Sequence, residues 1–284
     1  MMIKQAPPSR QEWTALGELP DAQFDLLAAS SLVARDEYPE LEPDCCKTML
    51  DEHAERIRQD VESAADAQQR LRVLSSYLFD DAGCAGNHVA FYDPRNSYLN
   101  EVLERRLGIP LSLAVVQMEV ARRLNLPLEG ISFPGHFLVR LQVEGGLLVL
   151  DPYHRGRSID VEELRQRASP HLGGIDIDDQ QLLQMLAPAS NRAIVMRMLC
   201  NLKNVYEEQD QLEKAVRCAD RLVCLAPSQA DVVRDRGILY HRIGHLRAAR
   251  EDLGRYLAMA PEADDVDSMR ELLIGSCSSR PALH

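Results

Sequence analysis

Apolar positions recur at intervals of three and four along most of this chain, which is the signature of helices that bury one stripe. Over residues 10 to 35, Trp13, Leu16, Phe24, Leu26, Leu27 and Leu32 stand among polar residues, and Pro20-Asp21 marks a fresh helix start with Asp21 as cap. Leu41-Glu-Pro-Asp44 breaks the pattern. Asp44 then caps a charged helix to about Val61, with Met49, His53 and Ile57 four apart. Ala67 to Phe79 reads as another helix, ended by Asp80-Asp-Ala-Gly83; a Gly-rich loop and a turn at Asp93-Pro94-Arg-Asn96 follow. Ser97 to Leu107 turns Leu99, Val102 and Leu103 inward and stops at Gly108-Ile-Pro110. The next helix runs from about Leu111 or Ser112 to Leu124, with Ala114, Val115, Met118, Ala121 and Leu124 on its apolar face and Arg122-Arg123 on its wet side.

The period then changes. Leu128 to Phe133, His136 to Val143 and Leu147 to Leu150 read as short strands, with Glu144-Gly145-Gly146 as the hairpin turn and Pro152 ending the last strand at Asp151. Beyond it, Asp160 to Arg167 is a capped helix, Ser169 to Asp179 a loop with Gly173-Gly174, and Asp179 to Leu186 a short helix ended by Pro188. This mixture predicts an α+β domain, mostly helical with a small antiparallel sheet, over residues 1–187, its core about 40–167.

The last hundred or so residues carry an internal repeat. Tyr206 recurs as Tyr240, Ala215 as Ala249 and Pro227 as Pro261, a constant offset of 34. A small Ala lets two helices of a hairpin approach, a Tyr fills the space between them, and Pro ends the second helix. The segments, about 196–229 and 230–263, resemble tetratricopeptide repeats, which makes residues 188–284 an all-α repeat domain. Two repeats fall short of independent stability, so residues 191–200, residues 264–275 or the first domain must cap the ends. Lys203 stands where the second repeat has Gly237, so looser packing is expected in the first repeat. Such a platform either offers a concave surface to a protein or peptide, with Tyr206 and Tyr240 as candidate binding residues, or serves purely as a structural extension. His241 and His245 are four apart, but Gly244 lies at the turn between helices, so no metal pair is expected there.

Charge and cysteine content narrow the classes. A net charge of −12 excludes non-specific nucleic-acid binding, which needs Lys and Arg to neutralise phosphates. No run of 18 apolar residues suggests a membrane span, and the N-terminal MMIKQAPPSRQEW lacks the apolar centre of a secretory signal, so a cytoplasmic location is expected. The seven cysteines are irregularly spaced with no C-x-x-C, which predicts reduced thiols, no metal site and no cofactor.

Candidate chemistry lies between Asn96 and Gly156. His136 opens one predicted strand and Asp151 closes the next, and a helix precedes both. That is the layout of a nucleophile–His–Asp enzyme, in which a helix N-terminus activates the nucleophile, His acts as base and Asp orients it. In a tight hairpin about Gly145-Gly146 the two share a sheet face but lie four residues apart in register, on the order of 13 Å. Ser112 is the candidate nucleophile, with Cys84 a remote substitute; Ser112 serves equally as a helix N-cap, His136 as a core histidine and Asp151 as a turn former before Pro152. Asn100, Glu101, His154 and Arg155 are candidates to line the same cleft.

The segments GIPLSLAVVQMEVARRLNLPLEG, FPGHFLVRL and LDPYHRG, followed by the repeats, resemble the bacterial SirB-type family over about residues 20 to 265. The resemblance implies a transglutaminase-core-like, papain-like domain joined to tetratricopeptide repeats. It also implies a His at a strand start and an Asp in an Asp-Pro, which His136, Asp151 and Pro152 match. The family of transglutaminase-like enzymes has a Cys at the start of the helix, and that slot falls on Pro110 here; no cysteine lies between Cys84 and Cys200. The expectation is a non-catalytic transglutaminase-like protein that binds or regulates a protein partner. The alternative is an acyl transferase or amide hydrolase using Ser112, His136 and Asp151.

Overall fold

The computed structural model describes residues 7–173 and 177–278. Gly174, in the predicted loop after Ser169, lies outside them. The chain forms two compact units, one containing Asp21–Met198 and the other Pro8–Pro20 with Leu199 onward. The expected boundary at 187/188 precedes the helix in which the units part, and residues 8–20, expected in the first domain, group with the repeats.

The first helix, α1 (Arg10–Glu18), begins with Ser9 accepting from the Glu12 N–H while Glu12 accepts from the Ser9 N–H, a reciprocal capping box. In the first unit, α2 (Leu26–Glu37) is capped by Asp25, not Asp21; the Asp25 carboxylate accepts from the Ala28 N–H at 2.8 Å. Asp21 instead opens a single 3-10 turn. In α3 (Cys45–Ser63) the buried stripe is Cys46, Leu50, Ala54, Ile57 and Val61, one position round from the expected Met49–His53 row. α4 (Ala67–Ser76) runs into a five-residue π turn to Asp81.

Two short strands absent from the expected pattern then pair in parallel: β1 (Ala85–Gly86) beside β2 (Leu107–Gly108), on either side of α5 (Leu99–Arg105). α6 (Pro110–Arg123) is buried on all sides from Pro110 to Ala121, Gln117 and Glu119 included. Its expected wet side is wrong at Arg123, which is half-buried and paired with the Asp51 and Glu119 carboxylates. A helix surrounded by protein has no solvent face to mark its period, and charged residues remain only where paired.

The sheet is antiparallel in the order β3-β4-β5-β6, from β3 (Leu128–Ile131), β4 (Leu138–Val143), β5 (Gly146–Asp151) and β6 (Arg157–Ser158). Leu138, Val149 and Ile131 pack with Leu164 and Ala168 of α7 (Val161–Ala168) and Leu182 of α8 (Asp179–Met185). Leu148 and Leu150 point the other way, beside Leu71 and Ser75 of α4. Burial on both faces, with Leu138, Val139 and Leu141 all fully enclosed, explains why β4 alternates poorly in sequence.

The second unit stacks the later part of α9 (Asn191–Glu208), α10 (Leu212–Leu225), α11 (Ala230–Arg242), α12 (Leu246–Met259) and α13 (Val266–Ser278). Ala215 and Ala249 are fully enclosed, as a close helix approach requires. Both ends are capped by helices. α13 sets Met269 against Leu253 and Tyr256, and α1 buries Trp13 beneath the Arg221 guanidinium. Gly17 is needed there, since a Cβ would stand 2.1 Å from the Cys224 carbonyl oxygen. Lys203 is not a loose point: buried, it reaches across to Asp235 of the next repeat. A buried pair of Arg236 with Asp252 joins α11 to α12. No described helix is long and apolar enough to cross a membrane.

Candidate functional site

Asp151 is the hub. It closes β5, is completely buried, and its carboxylate receives five hydrogen bonds. Oδ1 accepts from the Tyr153 and His154 backbone N–H groups at 3.0 and 3.3 Å and lies 2.9 Å from His136 Nε2. Oδ2 lies 2.7 Å from His154 Nδ1 and accepts from the Arg167 guanidinium at 2.7 Å. Burial alone would raise the carboxyl pKa. The hydrogen bond and charge of His136, with the hydrogen bonds of Arg167 and His154, hold it well below the usual carboxylate range.

The local sequence explains this hub. Pro152 forces the chain out of the ladder, and Asp151 caps the 3-10 turn Pro152–His154 that results. The turn presents the His154 ring beside the Asp151 side chain. His136 lies in the bend after Pro134-Gly135, two residues before β4 rather than opening it. The hairpin turn is Glu144-Gly145, with Gly145 at φ +85°, and Val143 pairs with Gly146. Pairing Val139 with Leu150 sets Asp151 next to Leu138, so His136 is two residues away in register and not four. The expected gap of about 13 Å therefore closes to a diagonal cross-strand contact, within reach of long side chains. By register Asp151 shares the sheet face of Leu138 and Val149, the face α7 covers, which is how Arg167 reaches it.

An aromatic rim surrounds the hub. The His88 ring meets Tyr153 edge-on at 4.6 Å, Phe91 meets Tyr153 at 5.9 Å, and the His136 and His154 rings lie near-parallel at 6.1 Å. Val89, Phe91 and Tyr92 are exposed, Val89 completely. Their loop is tied at its base by buried Asn87 and Asn96. Asn87 donates to the Asn96 side-chain oxygen at 3.1 Å, and Asn96 donates to the Ala90 carbonyl at 2.7 Å.

Ser112 does not join the hub, and the reading of it as nucleophile is corrected. Its hydroxyl is 1 % exposed, donates to the Asn96 carbonyl at 2.6 Å and accepts from the Ile109 N–H at 3.0 Å. Nor is it the N-cap. Ile109 holds that place, Pro110 is the first helical residue, and Ser112 reaches back from the third. Cys84 is no substitute, since burial pushes its thiol up to about 11 and a thiolate is the nucleophile. Asn100 is buried on α5, its Oδ1 without a hydrogen-bond partner among the described residues. Glu101 faces Arg105 at 4.0 Å, and Arg155 lies 4.0 Å from Asp80. No hydrogen bond or ring contact ties Ser112, Asn100 or Glu101 to His136 or Asp151 among the described residues. Tyr206 is corrected as a binding residue: 1 % exposed, it fills the repeat interior under the Lys214 ammonium. Tyr240 is half-buried, its ring between Arg236 and His245.

Sequence reasoning missed His88, Phe91, Tyr92, Tyr153 and Arg167. The loop composition around Gly86-Asn87 marks a turn, but nothing local says that it folds over Tyr153. Arg167 sits on a helix whose other partners are ordinary surface pairs, and only the register brings it to Asp151.

The class is defined by two profile matches. Residues 45–200 match the transglutaminase-like superfamily and residues 202–274 the tetratricopeptide repeat, so the chain joins a transglutaminase-like domain to repeats. It is 47% identical over 272 residues to a UPF0162 protein of Xylella fastidiosa, covering 96% of this chain and 97% of the relative. A UPF0162 protein of Pseudomonas aeruginosa is 32% identical over 247 residues (87% and 88%), and protein SirB1 of Salmonella typhimurium 24% over 213 (75% and 77%). The chain belongs to this SirB-type UPF0162 family.

Proposed function

We propose that this chain is a regulatory, cytoplasmic pseudoenzyme that binds a protein or peptide at the rim of the Asp151 hub and on its repeat surface, without acyl transfer. One observation carries the reading. The Ser112 hydroxyl is enclosed and committed to two backbone partners, so it has neither the exposure nor the free proton that a base could remove. The slot where transglutaminase-like enzymes hold their Cys is Pro110, which has no nucleophilic atom. Exposed Phe91 and Tyr92 beside Val89 give the aromatic content typical of recognition surfaces, and repeats of this class generally mediate protein–protein contact. Buried Cys46 and Cys84 thiols suit a reducing compartment.

The test has two arms. Wild type and Ser112→Ala are exposed to a fluorophosphonate and to an acyl donor with a fluorescent amine; no covalent labelling is expected in either. Labelling of wild type that Ser112→Ala abolishes would restore the enzyme reading. A photo-crosslinking residue at Val89 is expected to capture a discrete partner, and one at Leu183, exposed on α8, is not. Equal capture from both positions would refute rim binding.

A further inference from the structure

We infer that His136, Asp151 and His154 form a binding site for a divalent transition-metal ion of the zinc type. One ligand atom from each lies within 4.8 Å of the others, His136 Nε2 and His154 Nδ1 being 2.9 and 2.7 Å from the two carboxylate oxygens. Donors about 2.1 Å from one ion lie roughly 3 Å apart at a right angle and roughly 3.4 Å at the tetrahedral angle, so an ion that displaces the protons now bridging these groups needs them to part by only a few tenths of an ångström. Two imidazoles and one carboxylate are the donor set of open transition-metal sites, which keep a coordination position for water or substrate.

The surroundings support a ligand carboxylate. Asp151 is fully buried, and its oxygens are oriented by the Tyr153 and His154 N–H groups and by Arg167, as ligating carboxylates usually are by an outer ring of donors. Arg167, which donates to the carboxylate, would oppose the ion, and Glu163 at 2.8 Å offsets its charge. His88, with its ring 6.2 Å from that of His154, stands where a swing of an exposed side chain would add a fourth donor. His154 is itself half-exposed, which gives an ion an entry path. The site is independent of partner binding at the rim: an ion held there neither requires nor excludes it. With a bound ion, the open position would accept a carbonyl or carboxylate oxygen from whatever occupies the rim.

The full chain, stripped with a chelator and dialysed, is titrated with Zn2+ by calorimetry and with Co2+ by visible absorption. One equivalent is expected, with a Co2+ spectrum of low-symmetry N/O coordination. His136→Ala and His154→Gln are each expected to weaken Zn2+ at least about 10-fold, and the control double variant His241→Ala/His245→Ala to bind as wild type. If His136→Ala fails to fold, His154→Gln carries the test, because it leaves the bonds from His136, Arg167 and the backbone to Asp151 in place. Absence of stoichiometric binding by wild type, or affinity unchanged in His154→Gln, would overturn the site. So would loss of binding confined to the His241/His245 variant.

Discussion

Two buried polar nodes lie in the first unit, and they differ in what they leave over. At the start of α6, Asn87, Asn96 and Ser112 satisfy one another and nearby backbone groups, and the Ser112 hydroxyl has no spare capacity toward solvent. At the end of β5, Asp151 is equally enclosed, yet its histidines are partly exposed, with side chains 18 % and 45 % accessible. A network of neutral side chains and backbone groups, touched by charge only where Arg105 donates to Asn96 at 3.3 Å, serves architecture. A buried charge that holds two half-open imidazoles in fixed orientation is costly to build and serves chemistry or recognition at the surface. The sequence suggested one triad spanning both nodes, and no hydrogen bond among the described residues links Ser112 to His136 or Asp151.

The largest expected effect tests the hub. Asp151→Ala removes the acceptor of five hydrogen bonds and leaves Arg167 short of a partner, so a loss of about 3–5 kcal/mol is expected in urea unfolding. If it costs less than Ser112→Ala, the charged node is not the stronger brace and the contrast fails.

Acid separates the nodes next, because only one of them titrates as a carboxylate. The folded-state pKa of Asp151 is depressed, so its contribution is fully present above the unfolded value near 3.9 and is lost as pH falls through that value toward the folded one. Comparing wild type with Asp151→Asn, the stability gap should stay level from pH 7 to about 5 and narrow by about 2 kcal/mol below pH 4. A gap independent of pH would mean that the carboxylate is not held ionised by its partners.

Local chemistry made much of this fold legible. Asp-Pro at 151 announces a strand end, Glu144-Gly145-Gly146 a hairpin though not its exact turn residues, and the offset of 34 between Tyr206 and Tyr240 a repeat, because each is fixed by neighbours in sequence. What could not be read depends on register or long-range packing. A one-residue move of the hairpin turn shifts the pairing by two and decides whether His136 lies within reach of Asp151, and Arg167 and the His88–Tyr92 loop arrive from elsewhere in the chain. The membership of α1 in the repeat unit is of the same kind, since Trp13 shows burial but not against which surface. Ser112 was ambiguous for a different reason: a serine just after Gly-Ile-Pro fits a cap and a nucleophile equally well, and only its partners distinguish them.

A smaller effect tests the closed node. Ser112→Ala strips the Ile109 N–H of its acceptor and frees the Asn96 carbonyl, both in a buried setting, and should cost about 1–2 kcal/mol. Because Asn96 holds the loop that carries Phe91, the loop should also become easier to open, visible as faster amide exchange over residues 87–96. Exchange unchanged there would detach Ser112 from the rim and leave it a helix-end residue only.

The smallest expected effect on stability falls on the rim itself. Phe91 is 41 % exposed and Tyr92 61 %, so serine at either position gives up little apolar burial and should change stability by no more than about 0.5 kcal/mol. Phe91 has an edge contact with Tyr153, and Tyr92 touches Phe91, so any loss should be greater for Phe91→Ser. Crosslinking from Val89 should nonetheless fall in both variants, because exposed aromatic area matters most when a partner covers it. A drop of 2 kcal/mol or more in either variant would show that the rim is held as tightly as the core, and its exposure would then cease to mark a surface kept open for a partner.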